Sequence, residues 1–240
     1  MRPVSDRGRG LGLESLRRIG PRELIRLVVR RLWSSSRSFG LSADLATLPE
    51  ARKARVPVRM KVFDPESFIG FDNELPMVSG GDSVEVAQRK ELCAAGVRTL
   101  YVSVDDSGNP IYAQWLVRTD DQEALHRVRN GLFPQLGEGE ALLEGAYTFV
   151  SARGQGVMAD GMAQLMASAR AAGDRKAYTY VAEGNIPSLR GCANVGFEPD
   201  HIRHVVSRFG IRKTRRTLVD EETQAKWDKA VAPRRPADSA

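Results

Sequence analysis

Residues 142–158 read LLEGAYTFVSARGQGVM, and no other stretch constrains the chain as tightly. Leu142 to Val150 is an apolar run with Tyr147, Thr148, Phe149 and Val150 at its end, which predicts a buried strand. A turn follows over 151–156, and Val157 to Ala172 predicts a helix with Val157, Leu165 and Met166 among its apolar positions. Strand, glycine-bearing turn and helix form the layout of an anion cradle. The first N–H groups of a helix lack backbone partners and carry partial positive charge. Gly154 and Gly156 would let a phosphate approach with no Cβ in the way. The turn lacks the Gly-Lys-Ser/Thr ending of a Walker loop and the three spaced glycines of a dinucleotide fingerprint. Alone, it reads equally well as an ordinary strand-to-helix turn.

A second stretch, Asn185 to Phe197 (NIPSLRGCANVGF), follows a short predicted strand over Ala177 to Val181. Together the two stretches resemble the GNAT superfamily of N-acetyltransferases. That family has an Arg/Gln-x-x-Gly-x-Gly/Ala turn, then a strand, an Asn near a helix start, and a Gly-Phe pair closing that helix. The resemblance is sharp over about 138–200 and looser from about 56 to 212. It implies an α/β (α+β) fold, a twisted, mostly antiparallel mixed sheet of six to seven strands with helices on both faces. It also implies acetyl-CoA as acyl donor, a primary amine of a small molecule, an amino sugar or a protein as acceptor, and direct attack in a ternary complex. The alternative it leaves open is a module that binds coenzyme A with weak turnover or none.

The resemblance assigns residues one by one. Arg153, Gly154, Gln155, Gly156, Val157 and Met158 would hold the pyrophosphate, mainly through backbone N–H groups. Met158 stands where the family usually has Gly or Ala, which puts the fine placement of the coenzyme in doubt. Ala146, Tyr147 and Thr148 would pair with the pantetheine arm as another strand would. Asn185 would hydrogen-bond the same arm, with Ser188 beside it, although Asn is also a good helix N-cap. Acyl transfer to an amine needs a base for the amine, stabilisation of the oxyanion and a proton for the departing thiolate. Glu144, set in an apolar run, is the candidate base; its other reading is a carboxylate facing solvent or an arginine. Tyr147 is a second candidate for contact with the acceptor. Cys192 occupies the position, four residues before the closing glycine, where the family often has a Tyr acid. It is either that acid or a small buried side chain packed inside the helix, the common fate of a free Cys.

Composition bounds the rest. Cys93 and Cys192 are the only cysteines, so neither a disulfide framework nor a Cys-based zinc pattern exists, and a cytoplasmic setting is expected. His126, His201 and His204 lack metal-ligand spacing, so no metal is expected. The net charge of +6 is uneven. Residues 1–60 carry 14 Lys and Arg against 5 Asp and Glu, 61–202 carry 12 against 20, and 203–240 carry 10 against 5. An acidic middle would steer a cationic acceptor such as an amine. The basic ends lack stacking aromatics and a recognised motif, so no specific nucleic-acid partner is expected.

Four segments follow. Residues 1–20 read as a disordered N-terminus. Residues 21–55 hold a basic amphipathic helix over Pro21 to Trp33 and a linker over 41–57. Residues 56–216 form the acyltransferase domain, opening with a strand at Val58 to Phe63. Residues 217–240 hold a short exposed helix and a tail. The basic helix is expected to pack on protein in preference to a membrane surface, and a homodimer is compatible with the sequence. A helix is predicted from Asp82 or Ser83 to Ala95, with Gly96 as its closing residue. A hairpin is predicted over 99–117, a helix over 120–129, and one strand over 201–212 bent near Phe209.

Overall fold

A serine-rich segment, Trp33–Asp44 (WSSSRSFGLSAD), forms the first strand, β1, of a computed structural model that describes residues 33–63, 92, 94–129, 131–209 and 211–233. Phe39, Leu41 and Ala43 alternate along it and are buried in one core cluster. Next come β2 (Lys61–Val62), β3 (Leu100–Val104), β4 (Pro110–Val117) and helix α1 (Thr119–Arg129). After these follow β5 (Glu140–Thr148), a single 3-10 turn (Val150–Ala152), α2 (Val157–Ala171) and β6 (Lys176–Ala182). The described chain closes with α3 (Ile186–Ala193), β7 (Glu198–Arg208), β8 (Ile211–Leu218) and α4 (Glu221–Val231).

The strands form one sheet of eight in the order β2-β3-β4-β5-β6-β1-β7-β8. Every pairing is antiparallel except β5 with β6. The fold is therefore a mixed, mostly antiparallel α/β sheet, with eight strands among the described residues against the six to seven expected. Side chains on one face bury against α2, α3 and α4, with Met162, Leu165, Leu189 and Trp227 at the centre. Those on the other face bury against α1, with Trp115, Leu125, Phe133 and Leu142.

Several expectations need correction. The linker placed at 41–57 begins inside β1, and the domain start placed at 56 omits a strand paired with β6 on one side and β7 on the other. Residues 45–57 do run without helix or strand. The expected bent strand over 201–212 is two strands, which turn at Phe209 with φ of 50°. The helix expected as exposed near the C-terminus packs inward. Trp227 is buried and meets Phe39 edge-on at 5.6 Å, and Arg190 Nε donates to the Ala230 carbonyl at 2.8 Å. The segments 1–20 and 21–32, the loop expected over 66–81 and most of the helix expected over 82–95 lie outside the described residues. The end of that helix is described. Val97 N–H donates to Leu92 O at 3.2 Å around Gly96 at φ of +82°, the closure expected of a glycine C-cap.

Trp227→Ala should lower stability by about 3 kcal/mol, since it removes a buried indole from the β1–α4 contact. Urea unfolding followed by circular dichroism reads this directly. A loss below about 0.5 kcal/mol would mean that α4 is not part of the core.

Candidate active site

Strands β5 and β6 pair only over Glu140–Leu142 with Lys176–Tyr178. Beyond that point a cleft of about 210 Å³ lies between them. A bulge in β5 shapes it. Ala113 and Trp115 of β4 face Tyr147 and Glu144, so two steps on β4 match three on β5. The extra residue falls at Gly145-Ala146. Gly145 has φ of +65°, and a Cβ there would stand 3.0 Å from the Trp115 ring. Such a bulge bends its strand and raises the local twist, which carries β5 away from β6.

Six residues singled out in the sequence line this cleft: Glu144, Ala146, Met158, Asn185, Ser188 and Cys192. The wall has two sides. Met158, Met162 and Cys192 belong with the core under α2 and α3. Glu144, two residues from Leu142, and Tyr180 belong to the face that carries α1. Sequence reasoning passed over Arg129, Thr179 and Tyr180, which line the cleft as well.

The glycine turn lies at the start of α2. Gly156 is the N-cap residue at φ of +82°, and no side chain caps the helix. Around Gly154, at φ of +76°, there is open space where a Cβ would be. The long side chains of the turn fold back onto the backbone before it. Arg153 Nε donates to Thr148 O at 3.1 Å, and Gln155 Nε2 donates to Ser151 O at 3.0 Å. Val157 is buried in the core, so only its backbone can serve a ligand.

Tyr147 packs into the face that carries α1. Its ring is buried against Phe149, edge-on at 5.1 Å, and it is not among the residues that line this cleft. Met158 does not block the helix start. It lies against Gly191 of α3, where a Cβ would come within 3.2 Å of its terminal methyl. Asn185 accepts from Ser188 N–H at 3.3 Å and so caps α3, while it also lines the cleft. Burial pushes the Cys192 thiol up to about 12.

Asp160, in the first turn of α2, was not recognised from the sequence. It is 3% exposed. It accepts from Ala54 N–H at 2.9 Å, from Gln164 Nε2 at 3.0 Å and from Lys53 Nζ at 3.4 Å. Gln164 in turn accepts from Met60 N–H and donates to Val58 O. These two side chains pin residues 53–60 across the start of α2, where Arg55 N–H also donates to Gln155 O. Burial works against the Asp160 charge, but the Ala54, Gln164 and Lys53 contacts together hold its carboxyl below the usual range.

Among the described residues, no helix is long and apolar enough to cross a membrane, and no group of three His, Cys, Asp or Glu side chains could hold a metal ion. No family model matches the sequence, and no curated protein matches it. Some solved structures do resemble the chain. A GNAT-family acetyltransferase from Colwellia psychrerythraea is 16% identical over 78% of this chain and 62% of its own, with a TM-score of 0.49. A GCN5-related N-acetyltransferase from Sphaerobacter thermophilus is 17% identical over 84% and 59%, with a TM-score of 0.44. A GCN5-related glucosamine N-acetyltransferase region of a fungal multi-domain β-N-acetylglucosaminidase is 16% identical over 77% and 22%, with a TM-score of 0.48. The chain spans less than two thirds of each of these proteins.

Asp160→Asn should lower stability at pH 7 by roughly 2 kcal/mol, because it weakens a buried set of hydrogen bonds to charge. The lowered carboxyl pKa fixes the sign. Its contribution is complete above the ordinary Asp value of about 3.9 and fades as pH falls from there through the folded value. Urea midpoints of the two proteins should therefore converge below about pH 4. A gap that is constant from pH 7 to pH 3 would count against this assignment.

Proposed function

We propose that the protein is an acyl-CoA-dependent N-acyltransferase of the GNAT type, with acetyl-CoA as donor and a primary amine as acceptor. The observation that carries this reading is the placement of an uncapped, glycine-opened helix start beside a cleft between two parting strands. The residues fit coenzyme A. The N–H groups at the start of α2 suit a pyrophosphate, and the open space at Gly154 gives it room. The β5 segment from Glu144 to Ala146 lines the cleft and suits an extended pantetheine arm. Asn185 uses its oxygen to cap α3, which leaves its NH2 group as a donor to that arm. When bound, the coenzyme supplies an activated thioester.

The chain's own part is to position and to move protons. Glu144, at the cleft wall on the face opposite α2, is assigned the base that takes a proton from the acceptor amine. Cys192 is assigned to packing. A thiol at about 12 lies well above the ordinary thiol value of about 8.5, so proton donation to a leaving thiolate would run uphill. Cytoplasmic residence is part of the same proposal.

Calorimetric titration with acetyl-CoA tests the donor site. Gly156→Glu should weaken binding by about 100-fold or more, because the carboxylate repels a phosphate at the helix start. Gly156→Ala shares the backbone strain without the charge and should stay within about 10-fold of wild type. Glu144→Gln should leave acetyl-CoA affinity unchanged and lower thiol release in the presence of an amine by about 100-fold. Wild-type protein that is folded and does not bind acetyl-CoA would sink the reading.

A further inference from the structure

Tyr180, on the cleft wall, is held by side chains from both sides. The Arg203 guanidinium lies over its ring at 4.0 Å, and Phe133 meets it edge-on at 5.4 Å. His201 also meets it edge-on, at 5.5 Å. His201 reaches across β1 to do so, and the crossing depends on Gly40, where any Cβ would collide with the imidazole.

The polar atoms of this cluster are incompletely satisfied. Arg203 Nη1 donates to Leu132 O at 3.0 Å, but its Nε is buried with no hydrogen-bond partner. The Tyr180 hydroxyl is buried without one as well. Arg216 is the cross-strand neighbour of Arg203 on β8, and its guanidinium stands close enough to the Tyr180 hydroxyl to act on it by charge and as a donor, short of a well-aligned hydrogen bond. Neither arginine has a carboxylate within ion-pair distance among the described residues. Glu144 is near enough for its charge to favour the Arg203 cation.

Like charges directly opposite on adjacent strands repel. A part-buried guanidinium with no carboxylate in ion-pair contact is costly, and so are buried polar atoms without partners. An oxyanion at this point would relieve all three. The planar fork of an arginine matches a carboxylate or a phosphate, and a phenol hydroxyl can donate to either.

We propose that the acceptor is a small amine that also carries an anionic group, a carboxylate or a phosphate, held by Arg203, Arg216 and the Tyr180 hydroxyl while its amine lies toward Glu144. The amine half rests on the acyl-transfer reading; the anion half rests on the cluster alone. The acidic middle of the chain suggested a simple cationic acceptor, and this cluster narrows that to an amine with an anion at its other end.

The test uses the full chain and matched pairs of amines. Acetyl-CoA is titrated first, by calorimetry. The complex with desulfo-CoA is then titrated with β-alanine against propylamine, γ-aminobutyrate against butylamine, and O-phosphoethanolamine against ethanolamine. In at least one pair the anionic member should bind about 100-fold more tightly than its neutral partner. Which pair responds separates carboxylate from phosphate. Arg203→Met should abolish the difference and leave the acetyl-CoA Kd unchanged. Arg216→Gln, at an exposed position that cannot unfold the core, should reduce the difference by about 10-fold. Anionic amines that bind no better than neutral ones in every pair, or that keep their advantage in both variants, overturn the proposal. Loss of acetyl-CoA binding with Arg203-dependent anion binding intact would instead remove the donor reading and leave the anion site standing.

Discussion

Everything in the site depends on two parallel strands that pair over three residues and then separate. Within an otherwise antiparallel sheet, a wedge of this kind needs something to force it open. Here it is one extra residue in β5, accommodated because Gly145 adopts a backbone conformation closed to most side chains and leaves room for the Trp115 ring. From that point the sheet has a gap with a helix-bearing face on either side. The gap opens to both faces at once, so the proposed donor and acceptor would meet through the sheet.

The candidate donor side is tightened by contacts between segments far apart in sequence. Asp160 and Gln164 draw residues 53–60 over the start of α2. Gly196, at φ of +93°, ends α3 and lies so close to Pro49 that a Cβ would collide with the proline ring. Gly191 leaves the space that Met158 fills. A residue that looked too large for the helix start is thus matched by a small one on the neighbouring helix. The irregular run after β1 acts as a strap across the two helices whose ends form the candidate donor site.

Legibility in the sequence followed how local each signal was. The strand, turn and helix over 140–171 could be read because periodicity, glycines and apolar runs all fall within one window. The closures at Gly96 and Gly196 were equally local. β1 was missed because only Phe39, Leu41 and Ala43 alternate and serines fill the remainder; its strand conformation comes from partners on both sides, which propensity does not register. The β7–β8 hairpin was hidden because its turn uses Phe209 in place of an Asn-Gly or Asp-Gly pair. Of the site, the residues on β5, α2 and α3 were legible. Tyr180, Arg203 and Arg216 were not, because three strands bring them together and no spacing in the chain links them.

The position of β1 also sets an order of assembly. Its two neighbours in the sheet end at Ala182 and Arg208, so a chain emerging from the ribosome has made its first strand long before either partner exists. Contacts of such long sequence separation form late and slowly. A waiting strand of ordinary composition would invite pairing with other chains. With serine at five of its twelve positions, β1 would offer such pairing little apolar surface before β6 and β7 close around it. The composition that conceals the strand in the sequence would also disfavour stray pairing during synthesis.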